Sequence, residues 1–122
     1  MTRILVVDDH PVIRRLLSVT LGKDYEILEA EDGISALEAV RNRHPHIVLL
    51  DVMMPGPMDG LQVLDTIKSN PLTCNILVAM VSARGQTADA EEAGRRGADA
   101  YFIKPFSPMQ VLAWVRDRLS SG

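Results

Sequence analysis

Short apolar runs alternate with longer amphipathic segments along the whole chain. Three runs, at residues 4–7, 47–50 and 76–81, are almost continuously apolar. Uninterrupted runs of this kind are typical of strands buried on both faces of a parallel sheet. Two weaker runs, at residues 25–29 and 100–103, mix polar and apolar positions. They favour edge strands, which have less surface to bury.

The segments between the runs have helical spacing. Pro11 suits the first turn of a helix and Gly22 its end, with an apolar stripe between them at Val12, Leu16, Val19 and Thr20. The remaining helices are predicted from the stripes Ile34, Leu37 and Val40, then Leu61, Leu64 and Ile67, then Leu112, Val115 and Leu119 after Pro108, and from the Ala- and Glu-rich residues 87–96, which end at Gly97.

The pattern is therefore a strand followed by a helix, five times. Each crossover is long enough to hold a helix, so neighbouring strands can be parallel. Right-handed crossovers then place helices on both faces of the sheet. We predict an α/β fold with a five-stranded parallel sheet in the flavodoxin-like order 2-1-3-4-5, although the pattern alone leaves other strand orders open. No linker or low-complexity tract divides the sequence, so we expect one domain over residues 1–122.

Composition narrows the classes of protein. The chain has 122 residues, with 13 Lys and Arg against 16 Asp and Glu and a net charge of −3, which argues against direct nucleic-acid binding. The single cysteine, Cys74, excludes a disulfide scaffold and argues against a cysteine-based zinc site. There is no apolar run of membrane-spanning length and no signal-peptide pattern. We therefore expect a cytoplasmic protein with no membrane partner.

Polar side chains follow four of the five predicted strands. They are Asp8-Asp9, Asp51, Ser82 and Lys104. Because the carboxyl ends of parallel strands meet at one edge of the sheet, these side chains are expected to converge. Three carboxylates beside one ammonium leave a formal charge of −2, which a divalent cation would neutralise. Oxygen ligands favour Mg²⁺ or Mn²⁺, and a carboxylate beside such an ion can act as a nucleophile and form an aspartyl phosphate.

Over essentially its whole length, the chain resembles a response-regulator receiver domain of two-component signalling, similar to the chemotaxis regulators. The resemblance is carried by the strand-end residues in order: Asp8-Asp9, Asp51 in Asp51-Val52-Met53-Met54-Pro55, Ser82-Ala83, Tyr101, and Lys104-Pro105-Phe106. Any one of these is a weak signal, but together and in order they are a strong one.

The resemblance implies a role for each residue. Asp51 would accept a phosphoryl group from the phosphohistidine of a sensor histidine kinase or a histidine phosphotransfer protein. Asp8, Asp9, Asp51 and the backbone carbonyl of Met53 would hold the Mg²⁺, and Lys104 would pair with Asp51 or with the phosphoryl oxygens. Ser82 would hydrogen-bond the attached group while Tyr101 changes rotamer. The surface of the fourth helix, fifth strand and fifth helix would then control a partner or an output domain.

Two departures from the family pattern stand out. The segment from Pro55 to Gly60 carries one extra residue before the Asp-Gly pair that opens the third helix. Met53 precedes it, so its carbonyl should keep its role. Position 82 is Ser where Thr is common, and because the hydroxyl is kept we expect function to be kept.

Other functions fit the sequence less well. A Mg²⁺-dependent phosphatase with an aspartate nucleophile would need an Asp-x-Asp pattern after the first strand, and Asp8-Asp9-His10 does not supply it. A flavin carrier would need a hydroxyl-rich phosphate loop there, and the absence of a Gly-rich Lys-Ser/Thr loop excludes a P-loop nucleotidase. A receiver that serves only for docking, with Asp9 as a helix cap, stays open. We expect a self-phosphorylating switch and not a turnover enzyme.

A few residues lie outside these patterns. His10 lies near the predicted site and is given no catalytic role, whereas His44 and His46 are expected to be exposed at the opposite end of the sheet. Trp114 falls off the buried stripe of the fifth helix, so it is either a partner contact or folded over the neighbouring helix. Arg84, two residues after Ser82, is expected to affect the phosphoryl lifetime. No output domain is visible after Leu119, which leaves a stand-alone receiver or a piece of a longer protein.

Overall fold

A computed structural model describes residues 1–83 and 85–120. Strands and helices alternate in this part of the chain. They are β1 (Arg3–Val7), α1 (Pro11–Leu21), β2 (Glu26–Ala30), α2 (Gly33–Arg43), β3 (Ile47–Asp51), α3 (Gly60–Ser69), β4 (Leu77–Ser82), α4 (Thr87–Arg95), β5 (Ala100–Ile103) and α5 (Pro108–Ser120).

The strands form one parallel sheet in the order β2-β1-β3-β4-β5, which confirms the predicted topology. The register aligns the strand ends: Val7 pairs with Leu50, Asp51 with Val81, and Ser82 with Ile103. The residues that follow β1, β3, β4 and β5 therefore emerge at the same edge of the sheet.

Helices cover both faces of the sheet, and each face has its own core. One core joins alternate strand residues such as Leu50 and Met80 to α2, α3 and α4. The other joins Leu49 and its neighbours in the sheet to α1 and α5, where Val111 and Val115 are fully buried. The central strand β3 is buried along its whole length, as its continuous apolar run predicts.

The prediction for the apolar stripe of α1 is wrong. Val12 is 77% exposed and Val19 is 61% exposed, and the helix packs instead through Leu17 and Leu21. The helix carries a second stripe, Ile13, Leu17 and Leu21, with the same four-residue spacing. Periodicity alone does not tell which stripe faces the sheet. In α2, Ile34 is likewise exposed, whereas Val40 is buried as expected.

Trp114 lies against β5. Its ring meets Phe102 edge to face, with the ring centroids 6.2 Å apart, and the Arg118 guanidinium stacks over it at 5.8 Å. The indole is half-buried in this contact. The indole therefore packs on a strand residue, and both interpretations of Trp114, as a partner contact or as a residue folded over the neighbouring helix, stay predictions.

Candidate functional site

Two buried carboxylates form the floor of a cleft at the carboxyl edge of the sheet. Asp8, directly after β1, is 2% exposed, and Asp51, the last residue of β3, is 3% exposed. Because Val7 of β1 pairs with Leu50 of β3, the two side chains that follow them lie together, as predicted. The cleft above them has a volume of about 420 Å³ and is lined by Asp9, His10, Asp51, Met53, Met54, Ala83 and Lys104.

Lys104 bridges the two buried carboxylates. Its Nζ donates to Asp8 Oδ2 at 2.8 Å and to Asp51 Oδ2 at 3.3 Å. Its backbone N–H donates to the carbonyl of Ser82 at 2.7 Å, which fixes the start of the loop that follows β5 to the end of β4. The two Nζ contacts hold the ammonium at the floor of the cleft. The peptide bond from Lys104 to Pro105 is cis.

Burial and like charge set the ionisation of this group. Burial, together with the negative charge of Asp8, raises the pKa of Asp51, and the Lys104 charge offsets the increase only in part. Burial lowers the pKa of Lys104, but hydrogen bonds and charges from the two carboxylates outweigh it and raise the pKa. Lys104 therefore stays cationic at neutral pH, and an additional cation would favour the ionised form of Asp51.

Asp9 and His10 form the upper rim of the cleft. Asp9 Oδ1 is buried and has no hydrogen-bond partner among the described residues. His10 Nδ1 lies 3.2 Å from that atom and 3.1 Å from Asp8 Oδ1. One ligand atom from each of Asp8, Asp9, His10 and Asp51 can be chosen so that all four lie within 4.8 Å of one another. A buried carboxylate oxygen with no hydrogen-bond partner, beside the two other carboxylates, fits a divalent cation.

The loop after β3 is held at both ends. The Met53 N–H donates to Asp51 Oδ1 at 3.2 Å, so the carboxylate orients the residue whose carbonyl is predicted to bind the metal. At the other end, Asp59 caps α3 by accepting from the Gln62 N–H at 2.9 Å. Between them Gly56 adopts a φ of +94°, which favours glycine, with open space around it.

Gly60 is the tightest point of this loop. Its N–H donates to the Val52 carbonyl at 2.8 Å, and a Cβ at this position would overlap the backbone of Asp51. Only a glycine allows α3 to begin this close to the end of β3. The Asp-Gly pair is visible in the sequence, but hydrophobic spacing does not predict this close contact.

The remaining predicted residues lie around the site. Ser82 is fully buried at the end of β4, and its neighbour Ala83 lines the cleft. Tyr101, in β5, is half-buried and lines a small cavity of about 50 Å³ beside Glu92 of α4. Arg84 lies outside the described residues. His44 and His46 are exposed before β3, at the far end of the sheet, as expected.

Arg14 is a supporting residue that sequence reasoning missed. Its guanidinium donates to the backbone carbonyl of Asp8 at 2.7 Å and to Glu29 Oε1 at 3.2 Å. It therefore ties the loop after β1 to the end of β2. In the sequence, only its position one helical turn after His10 indicates that Arg14 lies near the site.

The comparison with known families matches the receiver domain of response regulators over residues 4–116. The chain belongs to this family. It is a receiver domain of two-component response regulators, which are in general phosphoacceptor switches. Receiver domains typically bind Mg²⁺ at an acidic cluster, and the cluster of Asp8, Asp9 and Asp51 corresponds to it.

Individual relatives support the assignment. The chain is 39% identical over 118 residues to the DNA-binding response regulator MtrA of Mycolicibacterium smegmatis, covering 96% of this chain and 50% of that protein. It is 38% identical over 115 residues to the phosphate regulon transcriptional regulatory protein PhoB of Klebsiella pneumoniae, covering 93% and 50%. The receiver domain of DrrB, solved in a BeF₃-activated form, superposes with a TM-score of 0.90 at 28% identity, covering 98% of each chain.

The chain spans about half the length of the curated relatives that it matches. Within the described residues, no helix is long and apolar enough to cross a membrane.

Proposed function

We propose that Asp51 is the phosphoacceptor of this receiver and that Lys104 is the residue that pairs with it and with the incoming phosphoryl oxygens. The observation that carries the proposal is the Lys104 ammonium, which contacts both buried carboxylates on the floor of an open cleft. Such a fixed positive charge stabilises a phosphoryl group at the moment of transfer, when negative charge spreads over its oxygens.

A divalent cation completes the proposed site. Asp8, Asp9, Asp51 and the Met53 carbonyl would hold Mg²⁺, or Mn²⁺ in its place. When bound, the ion neutralises charge on the phosphoryl oxygens and on the carboxylates. Support comes from the buried Asp9 Oδ1, which has no hydrogen-bond partner in the described part of the chain. The raised pKa of Asp51, which burial and the charge of Asp8 cause, also supports it.

The transfer itself is a displacement at phosphorus. A carboxylate oxygen of Asp51 attacks, and an O–P bond forms as the P–N bond to the donor histidine breaks. The electron pair of that bond returns to the imidazole of the donor. The Met53 N–H, already directed at Asp51 Oδ1, holds the carboxylate in place. Lys104 keeps its proton throughout and acts by its charge.

The switch is proposed to run through β4 and β5. The attached phosphoryl group presents acceptor oxygens to which the Ser82 hydroxyl can donate. Ser82 is buried at the strand end, so reaching the group requires movement of the segment that follows it. Tyr101 lines a cavity against α4 and would change rotamer with that movement. The change would reach the surface of α4, β5 and α5, with Trp114 as a candidate partner contact.

The proposed phosphodonor is a sensor histidine kinase or a histidine phosphotransfer protein. The N-terminal end of α1 begins at the rim of the cleft, and the helix exposes Val12, Leu16 and Val19 beside it. An exposed apolar strip next to a reactive cleft fits a donor protein that must be held while the transfer occurs.

The output is proposed to be a downstream effector or an output domain. Residues 1–122 would form one receiver domain, whether the protein stands alone or is longer. MtrA is named as a DNA-binding regulator. The expectation that residues 1–122 do not themselves bind nucleic acid stays a prediction. Response regulators are generally cytoplasmic, and we propose that compartment here.

Incubation with acetyl phosphate and Mg²⁺, followed by intact-mass analysis, tests the proposal. We expect one added phosphoryl group that requires Mg²⁺ and is absent from the Asp51→Asn variant. A folded protein that gains no group under these conditions, nor from a phosphohistidine donor protein, would contradict the assignment of Asp51. It would favour a receiver used only for docking.

A further inference from the structure

His10 contacts the acidic residues of the site through both its backbone and its side chain. Its backbone N–H donates to Asp8 Oδ1 at 2.9 Å. Its ring nitrogen Nδ1 lies 3.1 Å from the same oxygen and 3.2 Å from Asp9 Oδ1. A carboxylate only accepts hydrogen bonds, so Nδ1 carries the proton in this contact, whether the ring is neutral or cationic. The side chain makes no capping hydrogen bond to α1, so its polar contacts are with the site and not with the helix.

The carboxylate of Asp8 already has donors on both of its oxygens. Oδ2 accepts from Lys104 Nζ at 2.8 Å, and Oδ1 accepts from the backbone N–H and from the ring of His10. A carboxylate oxygen offers about two lone pairs, so the two donors of His10 use those of Oδ1. A cation that binds Oδ1 must therefore replace a donor. The ring is the one that can leave, because the backbone N–H is fixed by the turn that precedes α1.

The ring also occupies space that a shared cation needs. Mg²⁺ lies about 2.1 Å from each of its oxygen ligands. The proton of a hydrogen bond lies at a similar distance, about 2 Å from the acceptor oxygen. Because His10 Nδ1 is close to both Asp8 Oδ1 and Asp9 Oδ1, its proton and an ion shared by these two oxygens compete for the same position.

We propose that the His10 ring is a displaceable hydrogen-bond donor, which holds the carboxylate of Asp8 in the metal-free protein and turns away when Mg²⁺ binds. This rests on the proposed function, since it concerns the same Mg²⁺ site. His10 is a positioning residue and not a metal ligand. Its hydrogen bond must break before the ion binds, so it lowers the affinity of the site for Mg²⁺. The side chain is 65% exposed, so the ring can turn into solvent without disturbing the core.

Two variants of His10 separate the hydrogen bond from the bulk of the ring. His10→Phe keeps an aromatic ring without the donor, whereas His10→Ala removes both. Neither change removes a helix cap, since the His10 side chain provides none. His44→Asn is the matched control, because His44 is exposed at the far end of the sheet with a φ of 50°, which asparagine tolerates.

NMR titration with Mg²⁺ at a single pH of about 8, where free histidine is neutral, gives two readouts. From the backbone amide signals of the cleft residues, we expect the dissociation constant for Mg²⁺ to fall about two- to tenfold in both His10→Ala and His10→Phe, the equivalent of one net hydrogen bond. It should stay unchanged in His44→Asn. From the ring nitrogen signals of the wild type, we expect the Nδ1–H form of His10 without Mg²⁺ and its loss at saturation, since the contact that fixes the tautomer is then broken.

The outcomes distinguish this role from the proposed function. Mg²⁺ affinity that is unchanged or weaker in both His10 variants would overturn the role of His10. So would an increase in His10→Ala alone, because the bulk of the ring would then be responsible, and so would a ring that keeps its Nδ1–H form at saturating Mg²⁺. In each of these cases Mg²⁺-dependent phosphorylation of Asp51 would still support the proposed function. A wild-type protein that binds no Mg²⁺ and gains no phosphoryl group would overturn both.

Discussion

Replacement of Gly60 by alanine should damage the site through the backbone. The added Cβ would lie 2.8 Å from the carbonyl carbon of Asp51 and 2.8 Å from Val52 Cα, and closer still to the Asp51 carbonyl oxygen. Carbon atoms pack about 3.5–4.0 Å apart, so the end of β3 and the start of α3 must separate by roughly 1 Å. The obstacles are backbone atoms, and no side-chain rotamer change relieves the overlap.

The size of the effect follows from that displacement. Overpacking of this kind costs about 1–3 kcal/mol, which for a domain of this length lowers the melting temperature by roughly 4–12 °C. The displaced segment carries Asp51 and the Met53 N–H that orients it. A shift of about 1 Å in a reacting group can reduce its rate about 100-fold. We therefore expect Gly60→Ala to lose far more phosphorylation rate than its loss of stability alone would explain.

Gly94→Ala is the matched control. Gly94 is exposed in α4, and nothing lies within 4 Å of a Cβ built there. Removing a helical glycine should stabilise the protein by about 0.5–1 kcal/mol. Thermal unfolding and the rate of phosphorylation by acetyl phosphate, measured well below the melting temperature of each variant, provide the comparison. If Gly60→Ala melts no lower than the wild type and is phosphorylated as fast, the reasoning from this contact is refuted.

Two other substitutions, Asp51→Asn and Lys68→Met, test further features of the structure. Asp51→Asn should raise the free energy of unfolding of the metal-free protein at neutral pH, because burial and Asp8 disfavour the charged form of Asp51. It should also abolish the Mg²⁺-dependent stabilisation of the wild type, which reaches about 2.7 kcal/mol when Mg²⁺ is at 100 times its dissociation constant. A thermal shift with Mg²⁺ that persists in Asp51→Asn would contradict this. Because the pKa of Asp51 is raised, the folded state binds its proton more tightly than the unfolded state does. Ionised Asp51 therefore lowers the free energy of unfolding above the folded-state pKa, and this loss disappears as the pH falls through that pKa. The difference in free energy of unfolding between Asp51→Asn and the wild type should therefore shrink as the pH falls towards 3.8, the ordinary pKa of aspartate. Urea titrations of the metal-free proteins at several pH values measure this difference. A difference that stays constant with pH would contradict the prediction. Lys68→Met should cost about 1–3 kcal/mol, because the Lys68 ammonium donates to Asp99 and to the carbonyls of Cys74 and Ile76, while phosphorylation should persist. An unchanged urea midpoint would refute it.

The division into inner and edge strands was predictable because burial on both faces requires continuous apolar runs, whereas the apolar pattern left the order of the strands open. The runs that became β1, β3 and β4 are buried at nearly every position, and the mixed runs became the edges β2 and β5. The face of α1 was not predictable in the same way. Two stripes of the helix have helical spacing, and the choice between them depends on the packing of α5 against Leu17 and Leu21.

The convergence of Asp8, Asp51 and Lys104 was predictable for a similar reason. Each follows a parallel strand, and strand direction alone brings the ends of those strands together. The positions of His10 and Gly60 depend instead on loop conformation. Whether the His10 ring turns towards Asp8 or towards solvent, and how closely α3 approaches Asp51, are set by backbone angles that hydrophobic periodicity does not encode.

The charges of the metal-free site do not balance, and this lowers the stability of the fold. Two buried carboxylates share one ammonium, so the metal-free site has more negative charge than its neighbours compensate. An added cation stabilises the ionised form of these buried carboxylates, and an added negative charge destabilises it. A phosphoryl group on Asp51 would add negative charge where Lys104 is already engaged by Asp8. The balance could then be restored only by a bound cation and by new hydrogen-bond donors. Ser82 is a buried hydroxyl at this edge of the sheet, on the strand beside β3, and its carbonyl accepts from the backbone N–H of Lys104. The same interactions that hold the ammonium in place thus connect a change at Asp51 to β4 and β5.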